Sequence, residues 1–174
     1  YQQSGSASKV GLEVYNRFLE EAINKASNKR TVLCSVSSSL TCLIPSDYLP
    51  SPKMRAWLYK EISSTTSVED LVFLVKKTTS LFGPIPLFLN NLICFREIEI
   101  LGGRCFFKKI IIRDDFVEIF ICSVFWKKGL GLLINLLNDY KIVLRDGGKV
   151  FKLYCDFRKL NVLLVKIHKG LDND

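Results

Sequence analysis

Side chains that do acid–base or nucleophilic chemistry near neutral pH need a titratable partner, and this sequence offers a single histidine, His168, set between Lys166 and Lys169. A nucleophile needs a base within hydrogen-bond reach, usually histidine, and His168 in that basic setting reads as a solvated residue at a strand end. The carboxylate pairs Glu97/Glu99 and Asp114/Asp115 are the other candidates for acid–base or metal chemistry. Neighbouring residues on a strand point to opposite faces, so Asp114 and Asp115 read as a turn. Six cysteines, at positions 34, 42, 94, 105, 122 and 155, have no CxxC spacing, which speaks against a tetrahedral zinc site. An even count permits disulfides, but Cys94, Cys105, Cys122 and Cys155 lie in apolar runs where free cysteine behaves as a small hydrophobe, so a reduced, cytosolic protein is the favoured reading. The glycines at 102–103, 129–131 and 147–148 lack the GK[ST] or GxxG continuation that cradles phosphate. The expectation is a non-enzymatic protein with no cofactor and no metal.

Charge is the remaining chemical feature. Twenty-five basic residues against 17 acidic ones give a net charge of +8, which fits a polyanionic partner: nucleic acid, anionic lipid or an acidic protein. The doublets Lys76–Lys77, Lys108–Lys109, Lys127–Lys128 and Arg158–Lys159 fall at element ends. Together they form a candidate surface for nucleic acid or an anionic membrane, with Phe106, Phe107, Phe125 and Trp126 near enough in sequence to stack bases. The plain alternative is a solvated rim flanking apolar strands.

These residues need elements to position them. Ser67 with Asp70 three residues on, Leu71, Val72, Val75, Thr78 and Leu81 at helical spacing, and Gly83–Pro84 at the end predict a capped amphipathic helix over 67–83. A second amphipathic helix is expected over 9–26, where Val10, Val14, Phe18 and Ala22 share a face. Residues 28–52, rich in Ser and Pro, read as an extended arm. Residues 54–62 (MRAWLYKEI) read as a first strand and LFLNNLICF as a short buried helix. RCFFKKIIIRDD and FVEIFICSVFWKK form an expected antiparallel pair, and GLGLLINLLNDY a helix. KIVLR, Asp146–Gly147–Gly148 and KVFKLYCDF make a tight hairpin with Phe151, Leu153, Cys155 and Phe157 on one face. LNVLLVKI is expected as a last strand. The fold class is α+β: an antiparallel β-sheet with two or three helices packed against it, preceded by an N-terminal helix and a flexible arm. The division is 1–52 for helix and arm, 53–170 for the globular part, and 171–174 for an acidic tail. No run reaches the roughly 18 apolar residues of a membrane span, and no signal peptide is evident.

The order of IPSDYLP (44–50), MRAWLYKEI, SVEDLVFLVKK and the sheet region from Arg104 onward resembles that of rhabdovirus matrix proteins, in particular those of plant cytorhabdoviruses. That resemblance implies a non-enzymatic assembly protein that self-associates, condenses the viral nucleocapsid and its RNA, and contacts anionic membrane peripherally, in the virion and host cytoplasm, with host proteins as further partners. The alternative is a small basic nucleic-acid-binding regulator, such as a viral silencing or transcription suppressor. Phe18, Pro45, Tyr48, Leu49 and Pro50 are then the expected self-association or partner motif. Pro45-Ser46-Asp47-Tyr48 departs from the Pro-Pro-x-Tyr pattern of animal rhabdoviruses, lacking the second proline that a WW-type groove grips.

Overall fold

The structure, a computed structural model, describes residues 33–122, 130–136, 138 and 140–172. These form two compact units, one of residues 40–96 and one of residues 33–39 together with 97 onward.

The first unit is helical. Helix α1 (Pro52–Ser64) occupies the stretch whose alternation suggested a strand. Pro52 sits in its first turn, where a missing N–H costs nothing, and Ser51 caps it by accepting from the Met54 amide. Leu58, Tyr59 and Ile62 are the buried stripe, at i, i+1 and i+4. Helix α2 (Val68–Phe82) is the capped helix expected from sequence. Ser67 Oγ accepts from the Asp70 amide at 3.1 Å and donates to the Asp70 carboxylate at 2.6 Å, and Gly83 closes the helix at φ +88°. Its buried residues are Leu71, Leu74 and Thr78, whereas Val72 and Leu81 are exposed. The inward stripe is therefore rotated from the one the spacing suggested.

Helix α3 (Leu87–Arg104) runs 18 residues, twice the expected length, and its first part belongs to this unit. Arg96 in that part is buried, and its Nε and Nη2 both donate to the Thr65 carbonyl, at 3.1 and 2.7 Å. That pairing satisfies a carbonyl at the C-terminal end of α1.

The second unit is a five-stranded sheet in the order β1-β2-β3-β5-β4. Its strands are β1 (Ser35–Ser38), β2 (Phe107–Ile112), β3 (Val117–Ile121), β4 (Ile142–Arg145) and β5 (Val150–Leu153). The pairs β2/β3 and β4/β5 are antiparallel as expected, β3 and β5 join them in a further antiparallel pair, and β1 adds a parallel edge strand from the stretch whose composition suggests an arm. A bulge at Lys108 lets Phe107 and Ile110 both face inward although they are three apart. Phe107 and Phe151 meet edge to face, centroids 5.9 Å apart, in the core formed by that side of the sheet.

Helix α4 (Leu130–Leu136) and helix α5 (Leu160–Asp172) complete the unit. The expected last strand is α5. Its buried Leu160, Leu163, Leu164 and Ile167 follow i, i+3, i+4, i+7, the spacing of a helix face, and Asp156 starts the turn leading into it by accepting from the Arg158 amide. The Cys105 thiol donates to the Leu164 carbonyl at 3.3 Å.

Candidate interaction surfaces

The described part of the expected partner motif, Pro45 to Pro50, is tied into the helical unit, with Leu49 buried, Pro45 and Tyr48 half-buried and Pro50 exposed. Leu49 is buried, and its amide donates to the Pro45 carbonyl. Tyr48 packs edge to face on Phe82 and donates its hydroxyl to the Gly83 carbonyl at 3.0 Å. One nitrogen of Arg55 donates to the carbonyls of both Leu49 and Pro50, at 2.6 and 2.8 Å. Tyr59 Oη accepts from the buried Ile44 amide at 2.8 Å. Residues 40–51 are thus part of this unit, not an extended arm, and Tyr48 is not presented as a free peptide would be. Phe18 lies outside the described residues.

The basic doublets divide between the units. Lys76 and Lys77 are exposed on α2, with Lys77 lying 5.7 Å from the Trp57 ring centre. Lys108 and Lys109 are on β2, and Arg158 and Lys159 on the turn before α5. Lys127 and Lys128 lie outside the described residues. The adjacent lysines of β2 also part company, Lys108 standing in the bulge and Lys109 in the paired register.

Two surfaces emerge that the doublets do not define. On the helical unit, α2 exposes Val72, Phe73 and Leu81, and the start of α3 exposes Leu87 and Phe88. Phe73, 70 % exposed, borders an open groove of about 280 Å³ lined also by Glu61, Thr66, Asp70 and Lys77. Solvated aromatics of this size are the anchors that protein partners bury.

On the sheet unit, the face opposite the core is mixed in character. Its register places Lys109, Phe120, Val150 and Arg145 in one row across four strands, with Glu118 and Lys152 adjacent in the next row. Lys152 pairs with Glu118 at 3.5 Å and lies 4.0 Å from the centre of the Phe116 ring. Phe116 in turn lies 5.7 Å from Tyr154, over which Lys141 sits at 4.9 Å. The in–out alternation of KVFKLY was legible in the sequence, but the cross-strand pairing that assembles this face was not.

The titratable groups inside the protein are placed for packing. Burial pushes the Cys42 thiol up to about 12 and the Cys155 thiol up to about 11, so neither is a thiolate nucleophile at neutral pH. Burial also raises the carboxyl of Glu97, which accepts from Asn161 Nδ2. Among the described residues, no group of three His, Cys, Asp or Glu side chains is arranged to hold a metal, and no helix is long and apolar enough to cross a membrane.

The class of fold is recognisable from a solved structure. The chain superposes on the crystal structure of the C-terminal domain of a transcription-repair coupling factor with a TM-score of 0.70 at 14 % identity, covering 83 % of this chain and 95 % of that domain. In sequence, the TRCF domain family matches residues 39–123, just under half of the chain. The transcription-repair-coupling factor of Rickettsia prowazekii is 27 % identical over 119 residues, 66 % of this chain and 11 % of that protein. The factor of Rickettsia typhi is 26 % identical over the same length, and that of Staphylococcus aureus strain USA300 is 23 % identical over 104 residues. The chain therefore spans about a tenth of the length of the curated relatives it matches.

These likenesses overturn the resemblance to rhabdovirus matrix proteins, which rested on the order of parts and included a strand at 54–62 that is a helix. With it go the viral assembly role and its alternative, a viral suppressor. The nucleocapsid, self-assembly and anionic-membrane partners and the virion location fall with it too.

Proposed function

We propose that this chain is a C-terminal domain of the transcription-repair-coupling factor type, and that it works as a non-enzymatic docking module within machinery that couples transcription to DNA repair. The observation that carries this reading is the structural match over 95 % of the solved C-terminal domain, in the same chain whose residues 39–123 match the TRCF domain. The exposed apolar stretch on α2 and the start of α3 supports the docking role, because Phe73, Leu81 and Leu87 present apolar side chains of the kind a protein partner covers. The same reading puts the chain where DNA is transcribed.

A domain exchange tests it. The C-terminal domain of the S. aureus factor is replaced by this chain, and preferential repair of the transcribed strand is measured in cells lacking their own factor. The exchanged protein is expected to restore that preference, and Phe73→Asp with Leu81→Asp to weaken it while the protein still accumulates. An exchanged protein that accumulates and restores nothing overturns the proposal.

A further inference from the structure

The face of the sheet opposite its core is covered in part, the Lys152 and Glu118 side chains being 12 % and 17 % exposed, and its uncovered remainder has a composition that packing does not explain. A solvent-facing sheet surface needs only polar side chains, yet this one interleaves aromatic and basic residues. Lys109 and Arg145 are exposed at either end of the row that has half-buried Phe120 between them. At adjacent-strand spacings of about 4.8 Å, the two cations stand on the order of 14 Å apart. Tyr154 and Phe116 form a second aromatic position on the same face, but Lys141 and Lys152 already lie over these rings, which leaves Phe120 as the uncapped ring. The two rows carry three cations and one carboxylate, Glu118, which is already committed to Lys152.

We propose that this face binds single-stranded DNA: Phe120 stacks on an unpaired base while Lys109 and Arg145 hold the flanking phosphates. The chemistry selects the occupant. A ring on a sheet face reaches a base only when that base is unpaired, since a duplex buries the faces of its bases. Cations bracketing the ring match a backbone charged at every nucleotide. A protein partner of the apolar kind would meet desolvated lysines here, and the charged-residue depletion of protein interface cores is absent. The choice of DNA over RNA rests on the reading of the chain as part of a repair-coupling factor.

The test uses the full chain and a fluorescein-labelled 20-mer of dT, followed by anisotropy at low and moderate salt. Binding is expected, weakening as salt rises. Lys109→Gln with Arg145→Gln should cut affinity about tenfold and reduce the salt slope by about 1.4, since each single-strand phosphate contact contributes about 0.7. Phe120→Leu should cost about fivefold or more, leaving the slope unchanged, because stacking contributes on the order of 1–3 kcal/mol per base. Thermal melts of each variant establish that the fold is kept, and if Phe120→Leu does not fold, the surface-charge variant decides. No binding at low salt, or binding indifferent to the charge variant, overturns the proposal. Equal or tighter binding to a 20-mer of rU, or to phosphatidylglycerol vesicles, overturns the assignment to DNA. An exchanged factor that restores repair while the chain ignores dT refutes only this inference, and dT binding by a chain that restores nothing refutes only the family reading.

Discussion

The stretch 40–51 and the sheet are both fixed in place, but by different forces. The sheet is held by side chains that alternate: Ile110, Ile112, Val117, Ile119, Phe151 and Leu153 are buried, and their neighbours are not. The stretch 40–51 is held by side chains that reach for backbone: Tyr59 to Ile44, Arg55 to Leu49 and Pro50, Tyr48 to Gly83, and Asn91 to Thr41. Packing by alternation leaves a periodic trace in sequence. Pinning by long-range hydrogen bonds leaves none, so a Ser- and Pro-rich run looks like a free arm even when it is docked.

The comparison is sharpest in the sheet core. Phe151→Ala removes a ring packed on Phe107 from a site with no exposure and should cost about 3–5 kcal/mol, measurable as a large loss in denaturant midpoint. An effect no larger than that of a surface substitution would mean that the core side of the sheet is not what stabilises it.

Gly102→Ala is expected to cost about 1–3 kcal/mol by overpacking. A Cβ there would stand 2.7 Å from Cys34 Sγ and 3.1 Å from Ile110 Cδ1. Cys34→Ala in the same protein should return part of the loss, since it removes the nearest clash. If the double variant is no better than Gly102→Ala alone, the contact between Cys34 and α3 is not the cause.

Tyr59→Phe isolates the other force. It keeps the ring and removes the acceptor of the buried Ile44 amide, at an expected cost of about 1–2 kcal/mol. Hydrogen exchange at the Ile44 amide should accelerate by more than global unfolding explains. Unchanged protection there would show that residues 40–51 are held by packing, as the sheet is.

The smallest effect concerns Glu97. Burial raises its carboxyl above the ordinary 4.5, so the folded protein binds the proton more tightly than the unfolded one. That contribution to stability is complete below the unfolded pKa and is lost as pH rises through the raised folded one. Glu97→Gln removes the penalty at neutral pH. Its amide also offers a donor to Asn161 Oδ1, a buried atom without a hydrogen-bond partner. Because the site is half-exposed and screened, melting at pH 7 should rise by only about 1–2 °C, and the pH dependence above the ordinary 4.5 should flatten. A lower melting temperature at pH 7 would refute this account.

The α+β class, the α2 cap, the β2/β3 pair and the β4/β5 hairpin were all legible, because each has a local signature: Ser67 with Asp70, the Asp114–Asp115 turn, and Asp146–Gly147 at positive φ. Residues 54–62 and 160–167 are helical although their sequence also fits strands, because short apolar runs fit both periods. Pro52 with Ser51 and the Asp156 turn were the local signals that decide for helix. The parallel strand β1 was illegible, since four residues of Ser35–Ser38 carry little pattern and their partner is far away in sequence. Of the candidate surfaces, the lysines are legible but their grouping is not: Lys109 shares a row with Phe120 and Arg145, which only the strand register brings together.

The pairing of β1 with β2 has a consequence for synthesis. Ser35 meets Lys109, roughly seventy residues downstream, a separation whose closure entropy grows only slowly with length. The whole of the unit 40–96 is made between these partners. As the chain leaves the ribosome, the first strand of the sheet emerges before anything it can pair with, and the helical unit can finish folding while that strand waits. Its serines suit such a wait, because an edge strand of exposed Ser35 and Ser37 offers a poor template for premature association.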